Sequence, residues 1–83
     1  MKIQILGKGC PNCRRLEQNA REAAAELGLQ IEIEKVTDSD RITNMGVLFT
    51  PGLAVDGRLI SSGKVLSKQE VAALLAAELK KAD

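Results

Sequence analysis

Cys10 and Cys13, in the run Cys10-Pro11-Asn12-Cys13, are the only two cysteines of the chain. Two thiols three positions apart can pass a pair of electrons to or from a disulfide. The attacking species in such exchange is a thiolate. A free cysteine titrates near ~8.5, and helix N-termini and nearby cations lower that to roughly 3.5–7.5. The pair follows the segment Ile3-Gln4-Ile5-Leu6 and the turn Gly7-Lys8-Gly9, and it opens an amphipathic stretch. Cys10 is therefore expected at a helix N-cap. Pro11 fits the first turn, because its missing N–H would be unpaired there in any case. The N–H groups of Asn12 and Cys13 then point back toward the Cys10 sulfur, and the helix dipole adds to their effect. Cys13 falls one turn in, on the buried side. This order assigns Cys10 as the exposed nucleophile and Cys13 as the resolving thiol.

A static disulfide here would close a very short loop and stabilise little. A zinc site normally needs four ligands, whereas the chain offers two thiols and no histidine. Copper(I) suits soft thiolates, so a soft-metal carrier using Cys10 and Cys13 stands as the alternative function. No cofactor is called for beyond a redox-active Cys10–Cys13 disulfide. Gly7-Lys8-Gly9 lacks the third glycine of a dinucleotide loop, and Cys13-Arg14 stands where a phosphate loop would place Lys-Ser/Thr. It reads instead as a flexible turn that lets a partner approach Cys10, with Gly9 and Lys8 as candidate substrate contacts. Lys8 reads equally as a thiolate-stabilising cation or a solvated loop lysine. Arg14 and Arg15 read as plain surface.

The 83 residues fit one small domain, 1–83, with one core. Apolar residues make up 45% but aromatics only 1%, so the core must be built from Ile, Leu, Val and Ala. The net charge of +1, with acids and bases interspersed, shows no basic stripe and argues against nucleic acid as a partner. The first residues are too short an apolar run for a signal-peptide core. No stretch approaches the ~18 apolar residues of a membrane span. Cytoplasm is the expected compartment, where a close cysteine pair is more often redox-active or metal-binding than structural.

The elements that must position the pair are marked along the chain. Residues 2–6 read as a strand. Residues 11–27 read as a helix with Leu16, Ala20, Ala23, Ala24 and Leu27 on one face, ended by Gly28. Leu29 to Lys35 alternate as a half-buried edge strand. Asp38 or Ser39 caps a short helix holding Ile42 and Met45 and closed by Gly46. Val47, Leu48 and Phe49 read as core in preference to an apolar docking patch. After Thr50-Pro51 come strands at 53–56 and 58–61, joined by the hairpin signal Asp56-Gly57. Ser67 and Glu70 form a capping box and Leu66 with Val71 a hydrophobic staple. They start a last helix with Val71, Leu74, Leu75 and Leu79 on its apolar face. The order βαβαββα implies a parallel first pair with a right-handed crossover, then an antiparallel hairpin. The result is an α/β fold, a mixed four-stranded sheet with helices on its faces.

A Cys-x-x-Cys after the first strand, Thr50-Pro51 before a hairpin, and Gly63-Lys64-Val65-Leu66-Ser67-Lys68 entering the last helix resemble the thioredoxin superfamily. The match spans essentially the whole chain and is most similar to the minimal thioredoxin-like redox proteins of bacteria and archaea. The resemblance implies helices on both faces of the sheet and a cis Thr50–Pro51 bond beside the cysteines. Thr50 and Pro51 then become substrate-binding residues, the Thr50 backbone pairing with an extended substrate. It implies an oxidoreductase or electron carrier acting on protein or small-molecule disulfides and reset by a thiol reductant. Three departures stand out. Gly9 replaces the tryptophan that precedes the first cysteine in thioredoxin. Gln4 replaces the buried aspartate that helps deprotonate the second thiol. Proline stands second in the motif, as in glutaredoxins, which implies a more oxidising poise, toward roughly −200 to −230 mV. Ser61-Ser62-Gly63-Lys64 lacks the paired glycines and acid that hold glutathione in that group.

Overall fold

Strand β1 (Lys2–Leu6) is the axis of the molecule, and its neighbours follow from it. The computed structural model describes residues 1–9 and 11–81, with the backbone alone at 80 and 81. After β1 come α1 (Pro11–Glu26), β2 (Glu32–Val36), α2 (Ser39–Asn44), β3 (Gly52–Val55), β4 (Arg58–Ser62) and α3 (Lys68–Lys81). The sheet order is β2-β1-β3-β4. β1 pairs with β2 in parallel, Ile5 opposite Lys35, and with β3 antiparallel, Leu6 opposite Gly52. β3 and β4 are antiparallel, with a register shift at Leu53/Ala54 that leaves Ile60 as the extra residue of a bulge. This is the mixed four-stranded α/β sheet that the element order predicts, with β2 at an edge.

Side-chain alternation in the strands sorts the core into two layers. Ile3, Ile5, Leu53 and Val55 face α1 and α3, meeting Leu16, Ala20, Ala23, Ala24, Val71 and Leu75. Leu6, Val36 and Ala54 face the other way and pack with Ile42 and Val47. Helices thus cover both faces. Each fully buried Leu, Ile or Val side chain contributes roughly 1.5–3 kcal/mol. The single phenylalanine, Phe49, is 74% exposed, so this core is aliphatic throughout. α1 is tied to the segment that enters α3 by Asn19, whose Nδ2 donates to the Leu66 carbonyl at 2.8 Å.

The punctuation residues act as their chemistry demands. Gly28, at φ +68°, closes α1. Its N–H donates to the Ala25 carbonyl at 3.1 Å, and that of Leu29 to Ala24 at 2.9 Å, the paired bonds of a Schellman cap. Asp38 caps α2, its Oδ1 accepting from the Asp40 N–H. Asp56 and Gly57 both have positive φ, 51° and 84°, as a type I′ hairpin requires. Ser67 Oγ accepts from the Glu70 N–H at 3.1 Å, and Glu70 Oε1 from the Ser67 N–H at 3.2 Å, which completes the capping box.

Four expectations are corrected. Leu27 is exposed, because α1 ends at Glu26 and the Gly28 cap turns Leu27 outward. The strand expected from Leu29 begins at Glu32, because the same cap draws Leu29 back onto α1. Leu79 is also exposed; eight residues on from Val71 it has rotated about 80° off that residue's line along the helix. Leu48 and Phe49 are not core. Val47 alone of that trio is buried, filling the space under Gly52, where a Cβ would lie 2.8 Å from the Val47 Cγ2. With Val47 turned in, the loop carries Leu48 and Phe49 out to solvent.

Candidate active site

Cys13 stands on the first full turn of α1, the helix that Pro11 opens. It is 4% exposed, as a position one turn inside an amphipathic helix predicts. Cys10, and with it the expected N-cap, lies outside the described residues. Its neighbours on both sides are described: Gly9, exposed with φ +76°, and Pro11, also exposed. That φ lies in the left-handed region, which glycine enters at no steric cost, so the tryptophan of thioredoxin would be strained here.

Gly7 is the buried pivot of the site. Its N–H donates to the Val36 carbonyl at 2.9 Å, which extends the β1–β2 ladder by one bond. A side chain on Gly7 would collide with the Cys13 sulfur, and its Cβ would lie 3.6 Å from the Cβ of Thr50. One bare backbone position thus lies against both the second cysteine and the residue before Pro51. The Thr50–Pro51 peptide bond is cis. Pro51 is buried and Thr50 exposed, and the Pro51 carbonyl accepts from the Gly63 N–H at 2.9 Å.

The candidate residues fall into two adjoining hollows. Gly9 and Cys13 line a cavity of about 160 Å³ together with Ile5, Gly7, Glu17 and Lys35; Arg14 and Thr37 complete its wall. Lys8 and Thr50 line a second hollow of about 320 Å³ with Ile42, Val47 and Leu48. The exposed Phe49 flanks this side, against Gly63.

Glu17 and Lys35 are residues that sequence reasoning passed over. Glu17 is four positions after Cys13 and so shares its helix face. Lys35 stands two residues after Ile33 and so shares its face of β2, toward α1. The two pair, Lys35 Nζ to Glu17 Oε1 at 3.3 Å, and Arg21 holds the other carboxylate oxygen at 3.0 Å. Both spacings were present in the sequence as signals. Gln4, at the position of the thioredoxin aspartate, is buried on the opposite layer, and its Nε2 donates to Glu34 Oε1 at 2.7 Å. That bond, followed by the charges of Lys2 and Arg41, holds the Glu34 carboxyl below its ordinary range against an opposing effect of burial. Among the described residues no group of three or more His, Cys, Asp or Glu side chains could hold a metal ion. A soft metal would have Cys13 and Cys10 as its donors.

Comparison with known proteins agrees with this geometry. Residues 1–76 match the family model described as a thioredoxin domain. A curated protein named thioredoxin from Methanothermobacter thermautotrophicus is 53% identical over 75 residues, covering 90% of this chain and 97% of the relative. Another of that name, from Methanocaldococcus jannaschii, is 42% identical over 69 residues, covering 83% and 79%. A solved structure titled as that of a malarial protein superposes with a TM-score of 0.67 over 94% of this chain and 96% of its own, at 16% identity; this likeness concerns the fold alone. No helix among the described residues is long and apolar enough to cross a membrane. By sequence and by fold, the chain belongs to the thioredoxin family of thiol–disulfide oxidoreductases.

Proposed function

We propose that the protein exchanges disulfides through the Cys10–Cys13 dithiol. The Cys10 thiolate attacks one sulfur of a substrate disulfide, forms a mixed disulfide and releases the first substrate thiolate. Cys13 then attacks the Cys10 sulfur. The intramolecular disulfide forms, the second substrate thiolate leaves, and two electrons have passed to the substrate. A thiol reductant reverses the change in the protein. The substrate chain lies along Thr50 and Pro51, pairing with the Thr50 backbone, with Lys8 and Gly9 on its other side. The cytoplasm, where thiols are kept reduced, suits such a cycle.

The observation that carries this reading is the meeting at Gly7 of the buried Cys13 sulfur and Thr50. It sets the second cysteine beside the exposed peptide edge that precedes Pro51. Such closeness serves a mixed disulfide, whose substrate must sit against the motif while Cys13 attacks.

The test is trapping. A Cys13→Ser variant should accumulate a mixed disulfide with an oxidised peptide, and a Cys10→Ser variant should not. Alkylation of Cys10 should follow an apparent pKa clearly below the ~8.5 of a free cysteine. A value at or above it removes the activated thiolate. The copper(I) reading makes the opposite demand: reduced protein would have to take the metal from a competing chelator.

A further inference from the structure

The second chemical step needs a proton acceptor, because Cys13 attacks as a thiolate and is almost wholly buried. We propose that Glu17 accepts the Cys13 proton, an assignment that rests on the reading of Cys13 as the resolving thiol. Gln4 cannot serve. An amide takes no proton at ordinary pH, and Gln4 is engaged by Glu34 on the other layer of the sheet. Lys8 lines the neighbouring hollow with Thr50 and is absent from the wall of the Cys13 cavity.

Among the described residues lining that cavity, Glu17 is the one carboxylate. It lies one helical turn beyond Cys13, on the same face. Its side chain is 15% exposed, so it is shielded yet can pass a proton on to water. Among the described residues, the charged groups that pair with it or share its cavity wall are cations. Arg14 and Arg21 come from α1 itself, and Lys35 comes from β2, packed against it. Lys35 and Arg21 hold the two carboxylate oxygens in place beside the cavity, which makes Lys35 a positioning residue. The remaining wall, Ile5, Gly7, Gly9 and Thr37, carries no charge.

The Cys13 S–H bond breaks and its proton passes to a Glu17 oxygen, directly or through one water. The sulfur's electron pair forms the bond to Cys10, and the Cys10–substrate S–S bond breaks, its electrons leaving with the substrate thiolate. Glu17 then returns the proton to solvent or to that thiolate.

Dithiobis(nitrobenzoate) separates the two steps, since each releases one coloured thiolate. Reduced wild-type protein should give a fast first release from attack by Cys10 and a second from resolution by Cys13. Glu17→Gln should leave the first phase unchanged and slow the second on the order of 10²-fold, the low end for a lost general base. Its second phase should also rise in proportion to hydroxide, where the wild type levels off. In Glu17→Ala, added acetate should restore the second phase in a concentration-dependent way. A Glu17→Gln protein with unchanged second phase and pH profile overturns the assignment and leaves the dithiol reading standing. A wild type that releases one thiolate and never resolves overturns both.

Discussion

Gly7 and the Cys13 sulfur share one space: the bare α-carbon of Gly7 makes the room that Sγ occupies. The glycine is there for contact rather than for backbone freedom, because its φ is not in the left-handed region. Gly7→Ala must displace the Cys13 sulfur, by turning its side chain or by shifting the strand end or the first turn of α1. Overpacking of this kind costs about 1–3 kcal/mol. Urea denaturation should show that loss. Oxidation of the dithiol should slow as well, since the displaced group is the proposed resolving thiol. A Gly7→Ala protein of unchanged stability would mean that the Cys13 sulfur or α1 moves aside freely, and the tight seat of Cys13 would be wrong.

The loop before Pro51 carries its two largest apolar side chains outward, Leu48 at 83% and Phe49 at 74% exposure. A core phenylalanine cut to a small residue costs about 3–5 kcal/mol, whereas exposed positions stay within about 0.5 kcal/mol. Phe49→Ser and Leu48→Ser should fall in the second class by denaturant midpoint. If they also line the path of a protein substrate, KM for an oxidised protein should rise while the rate with a small aromatic disulfide is unchanged.

These two loops show what the sequence could and could not say. Elements were legible wherever a residue has one conformational use: Gly28 ending α1, Asp56-Gly57 turning the hairpin, Ser67 and Glu70 starting α3. Facing was less legible. Val47, Leu48 and Phe49 are equally apolar, and only the bare Gly52 above Val47 decides which of them turns in. Leu29 fits the alternation of β2, yet the hydrogen bond to Ala24 claims it for the helix cap. Glu17 was hidden for another reason. Its spacing from Cys13 is local and readable, but its tie to Lys35 joins residues 18 positions apart and needs the parallel pairing of β1 and β2 to bring it about.

The start of α3 gives a local prediction. Ser67 and Glu70 satisfy each other's backbone donors, and α3 supplies Val71 and Leu75 to the larger core layer. Removing an N-cap hydroxyl costs about 1 kcal/mol. Ser67→Ala should lower stability by that amount in urea denaturation, and Ser67→Asp, which keeps the acceptor, should recover most of it. Dithiol oxidation should be unaffected in both, because neither Ser67 nor Glu70 lines the Cys13 cavity.

Gln4 and Glu34 supply the pH prediction. The Glu34 carboxyl is held below its ordinary value first by the Gln4 hydrogen bond, then by Lys2 and Arg41. A folded-state value lower than the unfolded one, near ~4.3 for glutamate, stabilises the fold above that pH. The contribution is lost as the pH falls through the folded value. Gln4→Leu deletes the largest cause, so the Glu34 titration followed by carboxyl NMR should move up toward the ordinary range. The acid-side decline of the denaturation midpoint should become shallower. At neutral pH two effects oppose. The hydrogen bond to a charged group is lost, but so is a buried amide oxygen, Gln4 Oε1, that has no hydrogen-bond partner among the described residues. Such an unpaired group costs about 1–3 kcal/mol, so Gln4→Leu should fold with stability close to wild type at pH 7. An undiminished acid slope in this variant would show that Lys2 and Arg41, and not the buried amide, govern Glu34.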